Sequence, residues 1–185
     1  MPLLPAIRPP RARRFGRALA LAASAAIALG ACSDLVVPIE DAATTTYAPT
    51  LDVDLGASRR TASGLYIEDV ITGSGAVADS GRTLSVYYAG WLTNGRQFDS
   101  NRGATTPFQF QLGVSPIIRG WTEGLAGMRV GGRRRLVIPP ALAYGTTSQA
   151  RIPAGSVLVF EIDLVNVTGG ATGTTTSTSS TSGGR

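Results

Sequence analysis

Aromatic side chains are the main source of potential chemistry in this sequence. Nine of the twelve Phe, Tyr and Trp residues lie between Tyr87 and Phe160, so the core and any site must lie there. The chain has no His and one Cys. The absence of His excludes Ser-His-Asp and Cys-His triads and His-ligated metals, and a single Cys excludes an intrachain disulfide and a CxxC motif. A reaction at this site must therefore proceed without those groups.

The net charge of +5 does not indicate a nucleic-acid partner. Five of the 17 basic residues, all of them Arg, fall within the first 17 positions, and from residue 32 onward Arg and acidic residues balance. The triplet Arg133, Arg134 and Arg135 is interpreted as solvated charge that alternates across a strand edge. A nucleic-acid surface needs clustered excess charge on the folded domain. We therefore predict no nucleic-acid partner.

Alternating apolar residues predict an antiparallel sheet. Leu84, Val86 and Tyr88 share one face at a period of two, and Asn94-Gly95 is a strong signal for the hairpin that follows. The predicted strands are residues 65–71, 83–92, 96–98, 108–112, 133–138 and 157–167. Apolar alternation within them assigns one face to the core.

One segment departs from this alternation and predicts a short helix. Ser115 offers a capping hydroxyl, and Pro116 suits the first helical position. The apolar stripe that follows has helical spacing and consists of Ile118, Trp121, Leu125 and Met128. Arg119 and Glu123 are interpreted as a surface pair at i,i+4. One helix on an antiparallel sheet defines the α+β class.

The loop between the last two predicted strands, residues 139–156, is unusually long. Loops beyond about 12–15 residues in compact domains are commonly functional or disordered. This loop carries Tyr144 and Ile152 between three prolines. We predict that it forms a binding flap.

Six motifs stand in an order and spacing that resemble one family. They are Val86–Leu92 (VYYAGWL), Gln97–Ser100 (QFDS), Pro107–Phe110 (PFQF), Val114–Gly124, Ala143–Gly145 (AYG) and Val157–Glu161 (VLVFE). Together they resemble the FKBP-type peptidyl-prolyl isomerases, the macrolide-binding immunophilins, over roughly residues 62–167. The resemblance implies an antiparallel β half-barrel wrapped around one short helix, with a hydrophobic pocket for a substrate proline between them.

The resemblance also implies roles for individual side chains. The catalytic set is Tyr88, Phe98, Asp99 and Tyr144. The substrate-binding set is Phe108, Ile117, Ile118, Trp121, Ile152 and Phe160. Within these sets, Asp99 would accept a hydrogen bond from Tyr88, and Tyr144 would donate its hydroxyl. The backbone N–H of Ile118 would bind a substrate carbonyl.

Ordinary structural roles compete for some of these residues. Phe110 is expected to be core, and Tyr87, opposite Tyr88 on the pleat, is expected outside the pocket. Asp99 stands before a Ser-Asn pair, where it could instead form an Asx-turn. These alternatives stay open at the level of the sequence.

Three positions depart from the family pattern. Ala104 stands where many members carry a pocket-edge Arg, and Arg102 is the candidate substitute. Pro116 replaces a Glu that is often found at its position. The flap lacks the usual His and is shorter by one residue. These differences bear on substrate preference and macrolide affinity more than on the fold.

The implied activity is acceleration of X-Pro bond rotation in exported proteins. The reaction breaks no covalent bond, so it needs no nucleophile, metal or cofactor. The implied partners are proline-containing polypeptides and immunosuppressive macrolides. One alternative is a binding or chaperone module that uses the same pocket without turnover. Another is a structural surface lipoprotein whose tail extends the domain from the membrane.

The N-terminus predicts export and lipid attachment. Ala18–Ala31 is about fourteen residues of small or apolar type, shorter than the roughly 20 needed to span a bilayer. After the basic start it indicates a signal peptide over residues 1–31. Leu29–Cys32 resembles a bacterial lipobox, which predicts a lipidated Cys32, with an incidental cysteine as the alternative. Acyl chains on Cys32 would anchor the protein in the cell envelope. By resemblance to bacterial lipoproteins, Ser33 rather than Asp after the cysteine implies the outer membrane.

Composition divides the rest of the chain into a domain and two flanking segments. Residues 32–61 lack clear apolar periodicity and are predicted to be a flexible tether. Residues 62–168 are predicted to form the isomerase-like domain. Residues 169–185 contain only Gly, Ala, Thr, Ser and one Arg, so we predict a disordered tail.

Overall fold

An antiparallel sheet supports the site and packs against one short helix. The computed structural model describes residues 37–169 of the chain. The elements are β1 (Arg59–Arg60), β2 (Tyr66–Ile71), β3 (Thr83–Leu92), β4 (Gln97–Ser100), β5 (Phe108–Gln111), α1 (Arg119–Leu125), β6 (Arg133–Ile138) and β7 (Leu158–Thr168). Short 3-10 turns occur at Pro49–Leu51 and Pro140–Leu142. The α+β class and the open sheet that wraps the helix are confirmed.

The order of the strands brings distant parts of the chain to one site. The sheet runs β1-β2-β6-β7-β3-β4, and β5 pairs with β3 as well. β5 pairs with residues 83–86 of β3, while β4 pairs with residues 89–91. β4 and β5 therefore lie one after the other along β3 and present their side chains to the same region.

Alternation along the central strands builds the core, as the sequence predicted. Leu84 and Val86 of β3 are fully buried, and so are Leu136 and Ile138 of β6. β3 pairs with β7 along its whole length. The predicted strands 83–92 and 133–138 have the observed bounds, and the other four differ by one or two residues. The two-residue strand β1 was not predicted.

The helix begins three residues later than predicted. Its N-cap position is Ile118, which makes no side-chain capping bond. The prediction that Ser115 caps the helix is wrong, because the Ser115 hydroxyl accepts a hydrogen bond from the backbone N–H of Gln111 (2.9 Å). The segment around Pro116 therefore belongs to the connection between β5 and α1, and α1 has only seven residues.

Glycines allow α1 to lie close against β6. A Cβ atom on Gly120 would stand 2.5 Å from Ile138 Cγ2, and one on Gly124 would stand 2.6 Å from Leu136 Cδ1. Such distances are far below van der Waals contact. The close approach fixes the depth of the helix, and with it the height of Trp121 above the sheet.

The segment before the predicted domain is folded onto the outer face of the sheet. Residues 38–55, which we call the strap, contribute buried Ala42 and Leu51 to a second hydrophobic cluster that contains Val137 and Val159. The backbone N–H of Ala48 donates to the Thr93 carbonyl (2.8 Å). The prediction of a flexible tether is therefore wrong for the strap. The strap has no apolar periodicity of its own, but it is held in place because it packs on the sheet.

Two arginines of the triplet on β6 are also not solvated charge. Arg134 and Arg135 are each 7% exposed. Arg134 forms a two-pronged pair with Asp69 (2.7 and 3.1 Å), and Arg135 binds Glu68 (2.8 Å). The interpretation is wrong because β6 lies between β2 and β7 rather than at an edge. Acidic residues on those neighbouring strands therefore flank the triplet.

The two ends of the chain lie outside the described residues. This applies to the predicted signal peptide, to Cys32 and to residues 170–185 of the predicted tail. Among residues 37–169, no helix is both long enough and apolar enough to cross a membrane.

Candidate active site

A pocket of about 420 Å³ opens between α1, the flap and the inner face of the sheet. Its wall consists of Tyr88, Phe98, Asp99, Phe108, Pro116, Ile117, Ile118, Arg119, Trp121, Ala143, Tyr144 and Phe160. Nine of the ten predicted catalytic and substrate-binding residues are in this set. The structure therefore brings together residues that lie as much as 72 positions apart in the chain.

Trp121 is the centre of the aromatic cluster. Its ring centroid lies 5.0 Å from that of Tyr88 and 5.3 Å from that of Phe160, both nearly perpendicular. Edge-to-face contacts at this separation are favourable beyond the area that they bury. Trp121 is 5% exposed, so it forms both the pocket floor and part of the core.

Phe98 and Phe160 form the wall opposite Phe108. Their ring centroids lie 5.4 Å apart in an edge-to-face arrangement. Gly90 makes room for them, because a Cβ there would stand 2.7 Å from an atom of each ring. Phe108 lies 6.2 Å from Tyr88 between centroids and is 41% exposed. Phe108 thus stands at the mouth of the pocket.

Tyr88 and Asp99 form the polar edge of the pocket. The Tyr88 hydroxyl donates a hydrogen bond to Asp99 Oδ2 at 2.7 Å. Burial and, after it, this hydrogen bond raise the pKa of Tyr88 above its ordinary value. Tyr88 is thus a protonated donor at neutral pH. Among the described residues no Asx-turn closes on Asp99, since the Asn101 N–H donates to the Tyr88 carbonyl (3.1 Å).

Two further donors face a possible ligand. The backbone N–H of Ile118, at the start of α1, makes no hydrogen bond to another of the described residues. The Tyr144 hydroxyl on the flap likewise makes none within residues 37–169, and Tyr144 is 38% exposed. The pocket can therefore offer two hydrogen bonds to carbonyl oxygens of a bound peptide.

Ile152 is the one predicted site residue that does not line this pocket. It is 6% exposed and lies in an adjoining groove together with Phe98, Asp99 and Tyr144. As predicted, Phe110 is buried core, stacked on Phe108 (5.6 Å). Tyr87 is absent from the lining of both cavities.

Arg102 does not replace the missing pocket-edge arginine. Its guanidinium binds Glu161 (2.6 Å) and Asp163 (3.3 Å) on the outer face, because β7 presents those carboxylates away from the core. Instead, Arg119 lines the pocket. The predicted Arg119–Glu123 pair is wrong, since the ion pairs within residues 37–169 do not include it and Glu123 accepts a hydrogen bond from the Ser63 hydroxyl (2.7 Å) instead. Helical spacing alone could not show that Arg119 faces the pocket rather than Glu123.

The fold and pocket define a class of protein with an apolar cavity between aromatic rings. The model of the FKBP-type peptidyl-prolyl cis-trans isomerases matches residues 75–165. An FK506-binding protein of Neisseria meningitidis is 43% identical over 105 residues, which cover 56% of this chain and 96% of that relative. The chain belongs to the FKBP-type peptidyl-prolyl cis-trans isomerase family.

Other relatives share only this domain. FK506-binding protein 4 of Dictyostelium discoideum is 48% identical over 105 residues, which cover 56% of this chain and 28% of that protein. The chain spans between 21% and 32% of the length of several such curated relatives. The crystal structure of FkpA from Escherichia coli superposes with a TM-score of 0.56 and 38% identity over 60% of this chain and 51% of that one.

Proposed function

We propose that this chain accelerates cis-trans rotation about X-Pro bonds in polypeptide substrates. One observation carries the proposal: Tyr88, Phe98, Phe108, Trp121 and Phe160 line a single apolar pocket whose polar edge is the Tyr88–Asp99 hydrogen bond. Family membership supports the same reaction.

Rotation about an amide needs neither a nucleophile nor a metal. The barrier of about 18–20 kcal/mol comes from the resonance of the planar amide, and uncatalysed exchange at proline takes tens to hundreds of seconds. Twisting the bond removes resonance and makes the amide less polar. An apolar pocket that strips water from the amide therefore favours the twisted form over the planar form. This is differential binding of the transition state. Each tenfold increase in rate requires the activation free energy to fall by about 1.4 kcal/mol.

The two free donors suggest how the substrate lies in the pocket. The Ile118 N–H is fixed at the start of α1, so it suits a carbonyl that stays in place, namely that of the proline itself. The Tyr144 hydroxyl turns about its C–O bond, so its proton can follow the carbonyl of the preceding residue as that carbonyl rotates. With the ring of the proline on Trp121, the residue before it would lie on the side of the flap.

A proline-limited refolding assay tests this function. The full chain should accelerate the slow phase of a protein whose refolding is limited by an X-Pro bond, whereas Phe98→Ala combined with Asp99→Ala should not. Tyr87→Phe is the control, since Tyr87 lies outside the pocket and should leave the rate unchanged. A folded wild-type chain that left the slow phase unaltered would refute the proposal.

A macrolide ligand follows as part of the same proposal. Several relatives are named for binding FK506, and the pocket of this chain keeps the aromatic wall. We expect FK506 to compete with the peptide substrate and to abolish acceleration in the same assay.

Binding without turnover is a second candidate. Its support is the altered pocket edge, where Ala104 stands at the usual position of an arginine and Arg102 is engaged with Glu161. This candidate predicts that proline peptides quench Trp121 fluorescence while the rate of isomerisation stays that of buffer. Trp91→Phe would isolate the Trp121 signal without touching the pocket.

Export and anchoring form a separate part of the proposal. The signal-like segment 1–31 and the lipobox-like sequence before Cys32 suggest a lipoprotein of the bacterial cell envelope that acts on exported polypeptides. Labelled palmitate should be incorporated into the wild-type chain in a bacterial host and not into Cys32→Ala. Equal labelling of both chains, or none in either, would reject lipidation at Cys32.

A further inference from the structure

A second groove of about 270 Å³ continues the pocket along the flap. Phe98, Asp99 and Tyr144 line both cavities, so a peptide could pass from one to the other over these three side chains. The remaining wall of the groove consists of residues 149–152 of the flap. Among these, only Arg151 carries charge.

Contacts with the β3–β4 hairpin hold Arg151 at the groove. Its Nη1 lies 3.4 Å from the Phe98 carbonyl, and the Arg96 guanidinium donates to the Arg151 carbonyl at 2.7 Å. These contacts fix the backbone of Arg151 and place its guanidinium along the groove. Four of its N–H groups and its full charge are left for a ligand, since a guanidinium has five N–H donors and the contact with the Phe98 carbonyl uses one.

The cationic groups near the groove are not neutralised within the described part of the chain. Among residues 37–169, the arginines in ion pairs are Arg102, Arg133, Arg134 and Arg135. Arg96, Arg119 and Arg151 are exposed and form no ion pair with an acidic residue of that range. The two linings contain one carboxylate, Asp99, against the guanidinium groups of Arg119 and Arg151, and Arg96 contacts Arg151. The formal charge at the rim of the site is therefore positive despite Asp99.

We propose that the groove binds the residue immediately before the substrate proline, and that Arg151 makes an acidic side chain the favoured residue there. This rests on the proposed function, which places the preceding residue beside Tyr144. A carboxylate in the groove gains attraction from a guanidinium that pairs well with planar oxyanions. A lysine in the same place meets repulsion, which adds discrimination.

Isomerisation of a matched peptide series by the full chain tests this inference. The peptides have the form Ala-Xaa-Pro-Phe, with Glu, Gln, Leu or Lys as Xaa. Glu and Gln have nearly the same shape, so their ratio of kcat/KM reports charge alone. We expect a preference for Glu of about two- to fivefold, the range of a partly exposed ion pair. The preference should shrink as salt screens the charges.

Arg151→Gln should bring the Glu-to-Gln ratio to about one while the Leu peptide is still turned over. Arg129→Gln is the matched control, because Arg129 is also exposed and donates one hydrogen bond to a backbone carbonyl (3.2 Å), but lines neither cavity. The Glu-to-Gln ratio of kcat/KM for Arg129→Gln should equal that of the wild type.

The outcomes separate this inference from the proposed function. Turnover of the Leu peptide with a Glu-to-Gln ratio of one in the wild type would overturn the acidic preference and leave the isomerase intact. A preference for Glu over Gln that is retained in Arg151→Gln would overturn the assignment of the groove. Failure to turn over any of the peptides would refute the isomerase itself.

Discussion

The hydroxyl of Tyr88 donates to Asp99 Oδ2 at 2.7 Å, which ties the middle of β3 to β4 at the edge of the pocket. The backbone of the same tyrosine is also held, since its N–H donates to Asn101 Oδ1 (2.7 Å) and its carbonyl accepts from the Ser100 hydroxyl (2.9 Å). Ring and backbone are thus fixed by β4 and by Asn101, the residue that follows it. The aromatic ring can therefore contact a substrate without reorganising.

Removal of the Asp99 carboxylate should weaken catalysis and release the Tyr88 hydroxyl. A hydrogen bond to a charged group contributes about 1.5–3 kcal/mol, so Asp99→Ala should lower kcat/KM by about tenfold or more. Because the contact with Asp99 raises the pKa of Tyr88, its loss should lower that pKa, as measured by tyrosinate absorbance during alkaline titration. Asp99→Asn keeps an acceptor oxygen and should lose less activity. An unchanged pKa and rate in Asp99→Ala would contradict this role.

Adjacent arginines on β6 should differ in their effect on stability. Arg134 binds Asp69 and donates to the Gly124 carbonyl at the end of α1 (2.7 Å). Arg134→Met should cost about 1–3 kcal/mol, because it leaves the Gly124 carbonyl without this donor, whereas the Asp69 side chain is 44% exposed and regains water. The side chain of Arg133 is 38% exposed, and Arg133→Gln should cost about 1 kcal/mol or less. Urea unfolding at neutral pH measures both. Equal effects would show that burial of Arg134 does not stabilise the helix end.

Glu161 should make the stability of the domain sensitive to acid. Burial opposes its ionisation, yet Arg102, Arg133 and Arg135 outweigh that effect and hold the pKa of Glu161 below its ordinary value. A lowered folded-state pKa gives stability that is present above the unfolded value, about 4.3, and is lost as the pH falls through the folded value. Glu161→Gln should therefore lower the free energy of unfolding at pH 7. Below about pH 5, the free energy of unfolding should decrease less steeply with falling pH in the variant than in the wild type. A parallel acid profile in wild type and variant would contradict the prediction.

The strap should stabilise the domain through Glu40. Its backbone N–H donates to the Gly155 carbonyl (2.8 Å), and its carboxylate accepts from the buried N–H of Val157 (2.7 Å) at the base of the flap. Glu40→Ala leaves that N–H without its partner and should cost about 1–3 kcal/mol in urea unfolding. Glu40→Gln retains an acceptor oxygen and should cost less. If both variants unfold like the wild type, the strap does not brace the flap.

The sequence predicted the sheet from local signals, and it predicted the pocket from motifs that resemble those of the FKBP family. Period-two alternation marked the strands, and the motifs around Tyr88, Phe98 and Trp121 placed the aromatic wall. The strap was missed because Ala42 and Leu51 have no regular spacing, and the cluster that buries them includes Val137 and Val159, more than 80 positions further along the chain. The burial of Arg134 was missed for a similar reason, since its partner Asp69 lies 65 positions earlier.

The exchange rate between the cis and trans forms of a Leu-Pro peptide tests the central claim most directly. NMR exchange spectroscopy measures it at equilibrium, without a coupled protease. A catalytic amount of the full chain should raise the rate well above that of the peptide alone, and Trp121→Ala should abolish the increase, while Tyr87→Phe keeps it. Exchange at the rate of buffer in the presence of folded wild-type chain that binds the peptide at the pocket, with no FK506 added, would contradict the claim that this pocket catalyses rotation.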